Sequence, residues 1–377
     1  MTIQHRFGAA LVALASMASW AGAQTIRPLV TSRTEGISIG QQFGLTRQGN
    51  PLYTGSGNSG ENPLFEGSGA LRITIVGNSF GSPAVLANGT VVYQTNSPDG
   101  QNGLFARTLG GVIITIRGDN FGPKFSYRAA ASGNQVAIIT QDTPSSESVS
   151  AGPLAGISAA QIAQSRLGRP AVNTLGTVAV VGTDSTGASA LFVRSGGSII
   201  TINGSNFGLA SIWGDPHVDE KDGTRFFATD TSGATGLYEY TPAAGTVAKV
   251  SDFGLSRAAA FSDNGSVASL SDASGTLHIE AIGMSPPATV ATLASGASFA
   301  NANLAPATLI SVGDSLDGST ITDLGLSPTS FAVANEVAFW ASLADGTTGL
   351  YVYPVPEPAA LSALTLGLLT CMRRPTR

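Results

Sequence analysis

One stretch of text recurs along this chain, and that recurrence limits the fold more than any other feature. The run Gly103-Leu-Phe-Ala-Arg-Thr-Leu-Gly-Gly-Val-Ile-Ile-Thr-Ile-Arg-Gly-Asp-Asn-Phe121-Gly122 returns as Ala190-Leu-Phe-Val-Arg-Ser-Gly-Gly-Ser-Ile-Ile-Thr-Ile-Asn-Gly-Ser-Asn-Phe207-Gly208, and a third copy runs from Leu64 through Ile75 to Gly81. Its closing pair can be followed as Phe43-Gly44, Phe80-Gly81, Phe121-Gly122, Leu167-Gly168, Phe207-Gly208, Phe253-Gly254 and Leu324-Gly325, at intervals of 37 to 46 residues except for a last one of 71. A period near 40 with no helical pattern points to a unit of four short strands, which cannot bury its apolar faces alone and must stack against its neighbours.

The strands within a unit are bounded by turn signals. Asn88-Gly89 precedes Val91-Val92-Tyr93, Asp222-Gly223 precedes Phe226-Phe227, and Asn264-Gly265 precedes Val267. Both dipeptides favour the positive φ angles of tight hairpins. A second turn carries Asp and Gly, as at Asp184 to Gly187, Asp230 to Gly233, Asp272 to Gly275 and Asp345-Gly346; Leu-Phe or Leu-Tyr follows, then Gly, then Ile-x-Thr-Ile. The expected fold is therefore all-β: a propeller of seven four-stranded blades. The last unit, Ser327 to Tyr353, supplies only three strands, so Gly36–Gly40 is expected to pair beside 350–353 and close the ring, removing two exposed sheet edges. The alternative, tandem immunoglobulin-like TIG sandwiches, needs about twice this period.

Composition narrows the function. Only 11% of the 377 residues are charged, against about a quarter in ordinary globular proteins. Setting aside Arg6, Arg373, Arg374, Arg377 and Glu357, which lie in segments expected to be removed, leaves 23 acidic against 15 basic residues, a balance that argues against nucleic acid as a partner. The lone cysteine, Cys371, sits in the tail, so neither a disulfide framework nor a thiolate metal site is available. No metal and no cofactor are expected.

The ends read as targeting segments. Residues 1–23 have a basic start with Arg6, an apolar run from Phe7 to Trp20, and Ala21-Gly22-Ala23 before Gln24, the pattern of a signal peptide cleaved after Ala23. Residues 355–377 hold Pro356-Glu357-Pro358, an apolar stretch from Ala359 to Met372, and Arg373-Arg374. Fourteen apolar residues fall short of the roughly 20 of a bilayer-spanning helix, so transient insertion in the inner membrane is expected, with the arginines on the cytoplasmic side. This order of features resembles the PEP-CTERM sorting signal of Gram-negative and related bacteria. The resemblance implies an exosortase-type sorting enzyme as partner, and delivery of residues 24–354 to the cell surface or an extracellular polysaccharide matrix. The repeats also resemble propeller-like repeats of other PEP-CTERM proteins.

Three strings imitate catalytic or binding motifs. Gly55-Ser-Gly-Asn-Ser-Gly60 matches a dinucleotide fingerprint but fills a hairpin slot with no helix after it. Gly77-Asn-Ser79-Phe-Gly81 spells a nucleophile elbow, yet Asn120 and Asn206 replace Ser79 in other repeats. Trp213-Gly-Asp-Pro-His217 resembles the opening of von Willebrand D domains, whose disulfides this chain lacks, and aligns with Gly81-Ser-Pro-Ala84 as the start of a blade. Asp215, His217, Asp219, Glu220 and Asp222 nevertheless form the densest polar cluster, a candidate site for Ca²⁺ or a sugar hydroxyl. The recurring turn aspartates are expected to cap their own turns. No catalytic residues are assigned, and the expected function is a non-enzymatic structural or binding propeller of the cell surface. Two alternatives stand beside it: a polysaccharide-acting hydrolase or lyase, and a calcium-dependent adhesin.

Overall fold

The computed structural model describes residues 26–354, apart from 283–306 and shorter loop stretches such as 57–60, 77–79, 97–101 and 118–124. Six four-stranded antiparallel sheets follow one another, and a seventh sheet joins the two ends of the chain. The second blade shows the unit as the sequence spells it. Its strands Phe80–Val85, Val91–Asn96, Asn102–Arg107 and Ile113–Arg117 run from the axis outward. The Asn-Gly turn between the first two has Gly89 at φ +79°, where a β-carbon is disfavoured. The first strands of successive blades contact one another and so surround the axis.

Seven apolar clusters of buried residues lie between neighbouring blades. The period of two along each strand explains why. In Val178–Thr183, Ala179 faces the cluster shared with the fifth blade, whereas Val178 and Val180 face the one shared with the third. Both faces are covered, so these strands read as continuous apolar runs. Each large side chain buried there contributes roughly 1.5–3 kcal/mol. The sandwich alternative is excluded, because no pair of sheets faces off in isolation.

Closure by the termini holds, but with another strand than expected. Arg27–Thr31 forms the outer strand of the seventh blade, pairing Arg27 with Val352 and Thr31 with Gly349, beyond Glu336–Leu343 and Thr348–Pro354. The stretch expected in that role, 37–39, lies at the start of Ser38–Leu45, the inner strand of the first blade, where Ser38 pairs with Ser56. The physical reason is a linker hidden in the text. Ser32–Glu35 is a one-turn helix capped by Thr31 and ended by Gly36 at φ +69°, and Gly204–Phe207 is its counterpart, ended by Gly208 at φ +68°. The equivalent of Phe207-Gly208 is therefore Glu35-Gly36, and Phe43-Gly44 belongs to the strand after it. Trp340 seals the seam by donating its Nε1–H to the Ile39 carbonyl at 2.7 Å. The long interval of 71 residues arises in the sixth blade, whose third and fourth strands, Thr276–Ile282 and Ala307–Ser311, flank residues 283–306.

Candidate functional site

The inner strands do not run regularly, and their irregularities line the axis. In the first, second, third and fifth blades the register jumps by four residues on the inner strand against two on its partner, between Ile39 and Phe43, Phe80 and Ala84, Phe125 and Ala129, and Trp213 and His217. Three bulged residues thus stand opposite one. Bulges bend a strand and re-aim its side chains, and they are frequent beside functional sites. In the fourth blade Gly168 donates to the Val181 carbonyl at 2.6 Å while Ala171 pairs with Ala179, so Arg169-Pro170 is extruded in the same way. Gly214-Asp215-Pro216 and Gly81-Ser82-Pro83 occupy the same bulge, as their alignment in sequence implies.

These bulges surround a cavity of ≈ 650 Å³ on the axis, lined by Gln42, Arg128, Arg166, Arg169 and Asp215 among others. It reaches Thr183, one residue before the Asp184 turn, and so extends toward the face that carries the Asp-containing turns. Gly214 sits at φ +76°, a conformation that suits glycine and lets the backbone turn ahead of Asp215. Arg166 adopts φ +53°, one of three non-glycine residues with positive φ among those described. Arg128 donates to the Leu167 carbonyl and holds the strand before the fourth blade in place.

The electrostatics are unusual for so weakly charged a chain. Three guanidinium groups share the cavity with one carboxylate. Burial pushes the Asp215 carboxyl above the usual carboxylate range, opposed by the charges of Arg169 and Arg128 and by the Arg169 backbone amide. Burial also lowers the Arg169 pKa, opposed by Asp215. A carboxyl group raised by its surroundings, in a cavity and beside fixed cations, has the makings of a proton-transfer group.

The five residues of the sequence cluster do not share one site. Asp215 lines the cavity. His217 stacks on Phe261, with ring centroids 5.0 Å apart and planes 9° from parallel, and burial, followed by the Arg225 charge, lowers its pKa to about 4. Asp219 closes its own turn, its Oδ1 accepting from the Lys221 and Gly223 amides at 2.8 Å. Asp222 accepts from Asn173 Nδ2 at 2.8 Å, and Glu220 accepts from the Thr174 hydroxyl, so both tie the fifth blade to the fourth. Among the described residues no three His, Cys, Asp or Glu side chains gather as metal ligands.

Several sequence readings fall outside the described residues: Ala21, Ala23 and Gln24, the motif Pro356, Glu357, Pro358 with Arg373 and Arg374, Ser79, and Gly57 to Gly60. Arg128, Arg166 and Arg169 were not singled out from sequence. The one signal pointing to them is the Arg that follows Leu167-Gly168 where the other repeats carry Leu, Ser or Pro.

No protein-family model and no curated protein matches this sequence. Solved structures do resemble its fold. An oligogalacturonate lyase from Vibrio parahaemolyticus superposes with a TM-score of 0.59 at 13% identity, over 88% of this chain and 97% of that one. An oligogalacturonate lyase in complex with manganese gives 0.55 at 11% identity, over 85% and 90%. The β-propeller domain of the Trilobed protease from Pyrococcus furiosus, described as having an open velcro topology, gives 0.53 at 8% identity, over 81% and 90%. Among the described residues no group of three or more His, Cys, Asp or Glu side chains is placed to hold a metal ion such as that manganese. These likenesses overturn the expectation of a non-enzymatic structural propeller, because the scaffold recurs over nearly its whole length in enzymes. What they show for this chain is the fold, a β-propeller.

Proposed function

We propose that this chain is an exported enzyme that cleaves polysaccharide in its axial cavity, with Asp215 moving the proton and Arg128, Arg166 and Arg169 holding the saccharide. The observation that carries the reading is the composition of that cavity: one carboxylate of raised pKa among three guanidinium groups, on a surface otherwise poor in charge. A carboxyl titrating nearer to neutrality than usual can both accept and return a proton under working conditions. Gln42 and the cavity's backbone add neutral hydrogen-bonding groups suited to sugar hydroxyls. The oligogalacturonate lyases of similar fold are consistent with this choice of substrate type.

Export rests on residues 1–23 and 355–377. Their signal-type and PEP-CTERM-type patterns support processing by an exosortase-type enzyme and release or display outside the inner membrane, where polysaccharide is found. Fractionating cells that make the protein with and without residues 355–377 tests this: loss of the surface-associated pool on truncation supports it, and an unchanged distribution refutes it. The catalytic reading is tested by measuring new reducing ends released from a panel of neutral and acidic polysaccharides. Release that disappears in Asp215→Asn is the expected result, and no release from any member of the panel would overturn the assignment.

A further inference from the structure

Resting on that reading of the cavity, we propose that its substrate is a polyuronate, that Arg166 is the residue selecting the sugar carboxylate, and that the chain is cut by elimination instead of hydrolysis. The charge comes first. Three cations against one anion leave the cavity with an excess of positive charge, and a neutral glycan offers only hydroxyls to meet it. Taking a guanidinium out of water without a counter-charge is costly, whereas a planar carboxylate matches its parallel donors.

The three arginines are not equivalent. Arg128 is engaged by the Leu167 carbonyl, and Arg169 lies beside Asp215. Arg166 is exposed on the cavity wall, and among the described residues its guanidinium has no hydrogen-bond or ion-pair partner. It is also held at φ +53°, a region that residues with a β-carbon seldom adopt and that costs of order 1 kcal/mol or more. Packing gives no reason for this arrangement, since the side chain fills no core. An unpaired cation presented to a cavity by a strained backbone fits a ligand's anionic group.

The number of carboxylates then selects the reaction. Glycoside hydrolysis by the usual route needs two carboxyl groups flanking the bond. Asp215 is the one carboxylate lining this cavity among the described residues. Elimination needs a single base and a cation on the substrate carboxylate, which makes the proton on the adjacent ring carbon, C5, more acidic. Ionised Asp215 takes that proton, and the C–H electron pair becomes the C4–C5 double bond. The C4–O bond breaks, the departing sugar oxygen takes a proton from water, and Asp215 returns its proton to solvent. Nothing is oxidised or reduced overall.

The experiment compares oligogalacturonate and oligoguluronate with the same oligosaccharides after reduction of their carboxyl groups to neutral alcohols, using the full chain. The expected result is binding and an ultraviolet-absorbing unsaturated product from the acidic forms only, with affinity falling as salt is raised. Arg166→Gln should raise KM by roughly 10- to 100-fold, the loss of one charge-assisted pair, with kcat changed much less. Asp215→Asn should retain binding and lose turnover. Equal cleavage of the carboxyl-reduced oligosaccharides would overturn the polyuronate assignment while leaving a polysaccharide enzyme standing. Salt-dependent binding of the acidic forms with no product from any substrate would instead overturn the enzymatic reading on which the proposal rests. New reducing ends without the unsaturated chromophore would overturn elimination alone.

Discussion

Aspartate appears in two settings in this propeller, and the contrast between them separates architecture from chemistry. At the rim, Asp184, Asp230 and Asp345 each bend back onto their own turn, their Oδ1 atoms accepting from the Thr186, Ser232 and Thr347 amides at 2.8, 2.9 and 2.8 Å. Hydrogen bonds hold all three below the usual carboxylate range, chiefly from the Thr186 hydroxyl, the Ser232 hydroxyl and the Thr347 amide. On the axis Asp215 is shifted the other way by burial. The same side chain is a turn cap where solvent and its own turn's amides stabilise its charge, whereas on the axis burial outweighs the Arg169 amide and the neighbouring guanidinium groups.

The sharpest way to break this contrast is Asp215→Asn. Turnover should fall by about 10²- to 10⁴-fold, the usual contribution of a general base, while the melting temperature holds or rises because a neutral amide is cheaper to bury than a carboxylate. In the unaltered protein kcat/KM should decline as pH falls through a value above the ordinary carboxylate pKa, since the base must be ionised. A loss of folding in the variant, with activity per folded molecule preserved, would show Asp215 to be architectural after all.

His217 extends the contrast to stability. Its folded pKa of about 4 lies below its unfolded value near 6.5, so the unfolded chain binds the extra proton first. Stability is therefore complete above about pH 6.5 and declines as pH falls toward about 4, by up to about 3 kcal/mol. Denaturant unfolding across that range should show the slope, and His217→Leu should flatten it. The rim aspartates are shifted in the same downward direction but act over a lower pH range: their contribution is present above the ordinary carboxylate pKa and fades as pH falls through their lower folded values.

Replacing Asp184, Asp230 and Asp345 together by Asn should lower the melting temperature by only a few degrees and leave kcat unchanged. A large loss of turnover would erase the distinction between rim and axis. The smallest effect is expected from chelator. The turn carboxylates are occupied by their own amides, so removing Ca²⁺ should leave the melting temperature within about 1 °C; a clear drop would favour the adhesin alternative.

Strand order, hairpin turns and blade number were legible because they are local and repeated: Gly89 at φ +79° sits where the Asn-Gly text puts a turn. The closing strand was not. Arg27-Pro-Leu-Val-Thr31 carries none of the repeat's Ile-x-Thr-Ile text, and nothing in a strand's own pattern names a partner more than 300 residues away. The cavity was hidden for a related reason. Whether a residue is bulged depends on the register between two strands, and Arg128, Arg166, Arg169 and Asp215 converge only when the ring is complete. Asp215 belongs to a run of acids in the sequence, but its neighbours in that run go to turns and blade contacts instead.

The seam formed by Arg27–Thr31 and Thr348–Pro354 has a kinetic consequence. Its first strand precedes its mate by more than 300 residues and must wait, edge exposed, until that mate has been synthesised. Joining segments so distant in sequence is slow, because the loop must lose its entropy before any contact returns it. The ring would thus be sealed last, and a chain cut short before residue 348 would carry an open sheet edge by which quality-control proteases could tell it from a finished one.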